Sequence, residues 1–322
     1  MLKYIVTRVL WCIPVLFGAC LIIFAISFID PGDPVAALLG GSYTQEQYDT
    51  MAEELGVDQP FWVRFGTYIT GVVTRGDLGI SYTTKRAVSV EITSRFGITM
   101  QLAVISIIIA VAFGLPSGII SATRQYSWVD RIVTVASLFF ASMPGFWLAL
   151  MLMLALALNL KLLPASGLGS WKNWVLPALS SGLAFIATLT RMTRSSMLDV
   201  VRQDYIRTAR AKGLDEKTII MKHGIKNALI PIITTIGFQF GILVSGSVIV
   251  ETIFSLPGLG TLMMSAINNR DYPVIQGCVV VLAALICVIN LLVDLAYGFV
   301  DPRIMDQMRS NRKKNKKEAT AQ

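Results

Sequence analysis

Between Asp204 and Leu214 the chain reads DYIRTARAKGL, and the chemistry these side chains offer is recognition of another protein. Ala209 and Ala211 keep a helix surface low enough for a second backbone to approach. Gly213 stands where a helix can end in a left-handed turn, and Asp215 stands where the next helix can be capped. Arg207, Arg210, Lys212 and Lys217 add a positive rim suited to an acidic groove. These residues leave two readings open: a docking surface, or a solvated amphipathic hairpin resting on a membrane surface.

Covalent chemistry has little to work with. His223 is the single histidine and lies in the same basic segment, so no Ser-His or paired-His arrangement can be assembled from it. No G-x-x-x-x-G-K followed by Ser or Thr occurs to cradle phosphates, so any ATP hydrolysis is expected from another chain. Cys12, Cys20, Cys278 and Cys287 fall in apolar runs without zinc-ligand spacing, and disulfides are not expected. No catalytic residue, metal or cofactor is assigned to this chain.

The elements that must carry the docking segment follow from composition. Hydrophobic residues make up 54% of the 322 and charged residues 15%, a balance that places the chain in lipid. Windows free of charge predict six spans, at about 9–29, 98–121, 132–158, 174–192, 228–250 and 274–294. Each approaches or exceeds the roughly 20 residues that cross about 30 Å of hydrocarbon as a helix. Helices are required because a lipid-exposed segment must satisfy its own backbone polar groups. The predicted fold is an all-α integral membrane protein with one transmembrane domain over residues 1–308. Residues 30–97 form a large extracytoplasmic loop region, 203–228 a cytoplasmic loop between spans four and five, and 309–322 a basic tail of disordered composition.

A further uncharged stretch, 252–269, is interrupted by SLPGLG. It is read as an outward turn followed by a short surface helix over 261–268. Most of the 28 Lys and Arg residues fall in segments that are cytoplasmic if the N-terminus is inside, so both termini are expected in the cytoplasm. That bias accounts for the net charge of +8 without nucleic acid, although the tail could touch anionic lipid.

Local signals give the outer loop its own structure. Thr44 and Gln47 have capping-box spacing for a helix stopping at Gly56, and Pro60 starts a second segment. Phe61, Phe65, Tyr68, Ile69 and Val72 recur at helical spacing, as expected of a face packed on the protein's own spans or lying at headgroup level. Within the spans, Ser142, Met143, Pro144, Gln239, Ser245 and Asn290 are the candidates for a translocation pathway: Pro144 can kink a helix, and the others bring polarity or flexibility. Gly237 and Gly241 form a GxxxG suited to close helix packing.

TARAKG and the downstream KHGIKNALIP resemble the cytoplasmic coupling loop of ABC importer permeases, and the likeness runs along nearly the whole chain. DPGDP at Asp30, LGVDQP at Leu55, GDLGIS at Gly76, SMPGFW at Ser142 and LPASG at Leu163 agree in order with the dipeptide, oligopeptide and nickel family, B-type subunit. So do RMTRSSML at Arg191, PGLG at Pro257, RDYPVIQG at Arg270 and NLLVDLAYGFVDPR at Asn290. Leu256 departs from the pattern, where an aromatic residue is expected before Pro-Gly.

The resemblance implies a prokaryotic plasma-membrane importer with a second related permease, two cytoplasmic ATPases binding ATP and Mg, and an extracytoplasmic binding protein that delivers peptide. It assigns the ATPase contact to Tyr205, Thr208, Ala209, Ala211, Lys212, Gly213 and Asn227, with Pro231 helping to set the entry to span five. A nickel or other small-solute importer is the near alternative. An ion-gradient-driven transporter is the distant one, and it would require paired ionisable groups or an inverted repeat that the sequence does not display.

Overall fold

The structure, a computed structural model, describes residues 2–29 and 33–300, so the basic tail lies outside the described residues. In chain order the helices are α1 (Leu2–Ile29), α2 (Pro34–Leu39), α3 (Gln45–Leu55), α4 (Phe61–Arg75), α5 (Val88–Thr123), α6 (Trp128–Ser142) and α7 (Gly145–Leu152). After a π-helical segment, Met153–Asn159, come α8 (Lys172–Val201), α9 (Asp204–Ala211) and α10 (Glu216–Thr218). A second π-helical segment, Ile219–Gly224, leads into α11 (Ile225–Gly246), followed by α12 (Val248–Ile253), α13 (Leu259–Asn268) and α14 (Tyr272–Val300). Among the described residues the only β-type pairing is one isolated bridge, Ile80 to Ala87.

Five stretches are long and apolar enough to cross a membrane: Ile5–Ile29, Val88–Thr123, Lys172–Val201, Glu216–Gly246 and Tyr272–Phe299. The third expected span, 132–158, with a kink at Pro144, is sharply bent: Trp128–Ser142 and Gly145–Asn159 meet at 102°, and counted together they make a sixth span. Met143 is extended (φ −82°, ψ 131°) because Pro144 disfavours helical geometry in the residue before it and supplies no N–H. Other spans outrun their uncharged windows: α5 begins at Val88 with Glu91 in its first turn, and α8 continues to Val201 past Arg191 and Arg194.

The chain forms two compact units. The first comprises Met1–Leu102, Pro164–Asn173 and Val244–Cys287. Its short helices between α1 and α5 begin and end as their residues dictate. Thr44 and Gln47 form a complete capping box, and Gly56 closes α3 in the left-handed region (φ 61°). Phe61, Phe65, Tyr68 and Ile69 of α4 pack on Cys20, Leu21 and Phe24 of α1, with Phe24 edge-on to Phe61 and Phe65 at 5.5 and 5.4 Å. A second core joins Val88 and Ile92 of α5 to Leu259, Leu262 and Ala266 of α13 and to Val274 and Cys278 of α14. The expected short helix at 261–268 therefore starts two residues earlier, at Leu259, with one face buried.

The second unit comprises Ala103–Leu163, Trp174–Leu243 and, among the described residues, 288–300. Small residues let its helices approach closely. A Cβ on Gly114 would lie 3.1 Å from the Ile186 carbonyl oxygen, and one on Gly118 would lie 2.7 Å from that of Thr190. Thr190 Oγ1 donates to the Gly114 carbonyl at 3.3 Å across the same contact. Gly237 is as closely approached by Val293, whereas a Cβ on Gly241 would meet no atom within 4 Å. Ala122, Leu189, Met197, Ala228 and Ile232 fill the core of this unit.

Candidate functional site

The loop from 203 to 228 folds as two helical pieces around a glycine turn. Along α9, Ile206 and Ala209 turn inward onto Ile219, while Tyr205, Thr208 and Ala211 remain exposed, as does Lys212 beyond the helix end. Thr208 Oγ1 donates to the Asp204 carbonyl at 3.0 Å, which occupies its hydroxyl within the helix. Gly213 adopts φ 78° and donates its N–H to the Arg210 carbonyl at 2.9 Å, as expected of a helix-ending glycine. A Cβ at Gly213 would meet nothing within 4 Å, so this turn projects into open space.

Electrostatics hold the turn in shape. Arg210 reaches across it to Glu216 with Nε to Oε1 at 2.6 Å and Nη2 to Oε2 at 3.3 Å, and the carboxylate raises the guanidinium pKa further. Asp215 accepts from the Thr218 N–H at 3.0 Å, and hydrogen bonding from the Thr218 side chain, with this N–H second, holds its carboxyl below the usual range. Asn227 Nδ2 donates to the His223 carbonyl at 2.8 Å. Its side chain also lies against the Tyr205 hydroxyl, whose pKa is raised by burial and partly restored by this neighbour. Tyr205, Thr208, Ala211, Lys212, Gly213 and Asn227 are exposed, whereas Ala209 belongs to the small buried cluster beneath them.

Sequence reasoning missed the contact that anchors α8, the helix leading into this loop. Asp130 is buried, accepts from Ser121 Oγ and from the Tyr126 N–H at 2.9 Å, and pairs with Arg194 at 2.7 Å. The sequence offered no signal for this pairing beyond Asp130 beside Arg131 at the edge of an apolar run.

In the first unit, two more buried carboxylates organise the GDLGIS, RDYP and PGLG motifs. Asp271, of RDYP, accepts from Ser81 Oγ and from the N–H groups of Tyr82 and Thr83 at 3.0 and 3.1 Å, so it fixes the GDLGIS loop. Glu251 is fully buried and accepts from Thr99 Oγ1 at 2.6 Å, Ser247 Oγ at 2.7 Å and the Thr261 N–H at 3.1 Å. Gly258 of PGLG packs directly on that carboxylate, where a Cβ would collide with it.

The pathway candidates lie on several elements. Ser142, Met143 and Pro144 form the break between α6 and α7, with Ser142 Oγ donating to the Leu138 carbonyl at 2.8 Å. Gln239 is buried on α11, whereas Ser245 on α11 and Asn290 on α14 are exposed.

Apolar helices of spanning length, joined by polar loops folded over buried carboxylates, define a multi-pass integral membrane protein. The chain belongs to the family described as binding-protein-dependent transport system inner membrane component, matched over residues 114–306, with the companion N-terminal component of such systems matched over residues 1–103. It is 40% identical over 304 residues to the glutathione transport system permease protein GsiC of Escherichia coli (strain K12), covering 94% of this chain and 99% of that one. The Salmonella choleraesuis protein of the same name is 41% identical over the same length. Among solved structures, an inward-facing MetNI methionine ABC transporter superposes with a TM-score of 0.56 at 18% identity, covering 63% of this chain and 93% of that one, a likeness of fold. The chain is thus an ABC importer permease of the peptide and nickel family in the bacterial inner membrane. Membership implies a partner permease, ATPase subunits that carry the hydrolytic activity, and a substrate-binding protein.

Proposed function

We propose that this permease forms half of a pathway for di- or oligopeptides handed over by an extracytoplasmic binding protein. The supporting observation is end-to-end similarity to a permease named for glutathione, itself a tripeptide. Both termini and the 203–228 loop face the cytoplasm. There the exposed face of α9 and the open turn at Gly213 receive a partner ATPase, which binds the ATP and Mg that this chain does not. A related second permease completes the pathway.

Motion of the ATPases pushes this loop and shifts the spans between inward-open and outward-open arrangements. Uptake in vesicles containing the assembled transporter tests the reading. Labelled dipeptide, oligopeptide and glutathione should enter with ATP dependence and without sensitivity to ionophores. Ionophore-sensitive, ATP-independent uptake would contradict the importer reading, and transport of nickel complexes in preference to peptides would contradict the substrate.

A further inference from the structure

In the second unit a cavity of about 430 Å³ opens between α6 and the C-terminal half of α8. Arg191, Arg194 and Arg202 line it together with the hydroxyls of Thr134 and Ser195, against one carboxylate, Asp199. Asp130 already neutralises Arg194. Among the described residues Arg191 and Arg202 have no ion-pair partner. Two guanidinium groups without an ion pair, beside the Ser195 side chain, suit the oxygens of a phosphate group.

The surroundings indicate which phosphate. Tyr126 and Trp128, at the start of α6, are 76% and 75% exposed, and Arg131 lies over the Trp128 ring at 5.2 Å. Exposed aromatic rings at the end of a spanning segment mark headgroup level. Thr134 follows Trp128 by about 9 Å along the helix, so the cavity opens just below that level. Ile132, Val135 and Phe139 form a strongly exposed apolar flank on the same stretch of α6. The ligand that matches both surfaces has a phosphate at one end and hydrocarbon at the other.

We propose that this cavity holds the phosphodiester headgroup of an anionic phospholipid, with Arg191 and Arg202 on the phosphate oxygens and the acyl chains along Ile132, Val135 and Phe139. Headgroups carrying an ammonium are disfavoured, because the same arginines repel it. The site is independent of the transported substrate and of the ATPase contact.

Native mass spectrometry of the assembled transporter in phosphatidylcholine nanodiscs, with phosphatidylglycerol added, tests the site. Wild type should retain phosphatidylglycerol, with retention about fivefold weaker for each of Arg191→Gln and Arg202→Gln and largely preserved in Arg191→Lys. Inorganic phosphate in excess should leave the retained lipid in place. If Arg191→Gln fails to assemble, Arg202→Gln, at a position beyond the end of α8, carries the same expectation. Equal retention by wild type and the glutamine variants would overturn the proposal, as would displacement by inorganic phosphate, which would make this a site for free phosphate.

Discussion

Arg194 grips the buried carboxylate of Asp130 through two parallel hydrogen bonds, Nε to Oδ1 at 2.7 Å and Nη2 to Oδ2 at 2.9 Å. The pair joins the first turn of α6 to α8, shortly before the chain enters α9. Its geometry is the fork-to-fork arrangement in which Arg and carboxylate interact best.

Removing one partner of such a pair leaves the other charge buried and unmatched. Asp130→Ala and Arg194→Ala should each destabilise the protein by about 3–5 kcal/mol, and the double variant Asp130→Ala with Arg194→Ala by less than the sum. Thermal unfolding of each purified variant in detergent checks this. Strictly additive losses would show that the two side chains do not act as a pair.

Asp271 presents a parallel case outside the spans. Asp271→Ala strips acceptors from the Ser81 hydroxyl and from two backbone N–H groups. A loss of about 2 kcal/mol would raise the open population of the 76–87 loop about thirtyfold. Limited proteolysis across that loop should accelerate accordingly, with α13 and α14 remaining protected. Unchanged cleavage would mean the loop is held by other contacts.

Asp215 gives a pH dependence whose sign is fixed. Its bond to Thr218 depresses the folded-state pKa, so the cap contributes fully above the unfolded value of about 3.9 and is lost as pH falls through the depressed folded value. The Thr218 amide shift should stay constant near neutrality and move only in acid, and Asp215→Asn should flatten that movement. A transition centred above the ordinary carboxylate range would contradict the cap.

The parts of this fold legible in the sequence are those set by local rules. Thr44, Gln47 and Gly56 mark α3 because each acts on its own backbone neighbours. The break at Met143 was legible only as a kink, since Pro14, Pro116, Pro177 and Pro231 lie inside helices that continue past them. Glycine spacing misled in the same way: Gly114 and Gly118 make the close contact with α8, while of the noted pair only Gly237 is tightly packed. Asp130, Glu251 and Asp271 were invisible as organisers because they meet partners 64, 152 and 190 residues away. The exposed rim and glycine turn of the α9 segment, by contrast, were readable from residue type and order.

Under the proposed function, a partner ATPase engages the open turn at Gly213. Gly213→Ala and Gly213→Glu impose the same backbone strain, about 1–2 kcal/mol, and neither Cβ meets a neighbour within the chain. The decisive measurement is ATP-driven uptake by the two variants at equal membrane abundance, with ATPase co-purification scored alongside. Gly213→Ala should retain most transport, while Gly213→Glu should abolish transport and release the ATPase. Normal uptake by Gly213→Glu would remove this turn from the coupling surface.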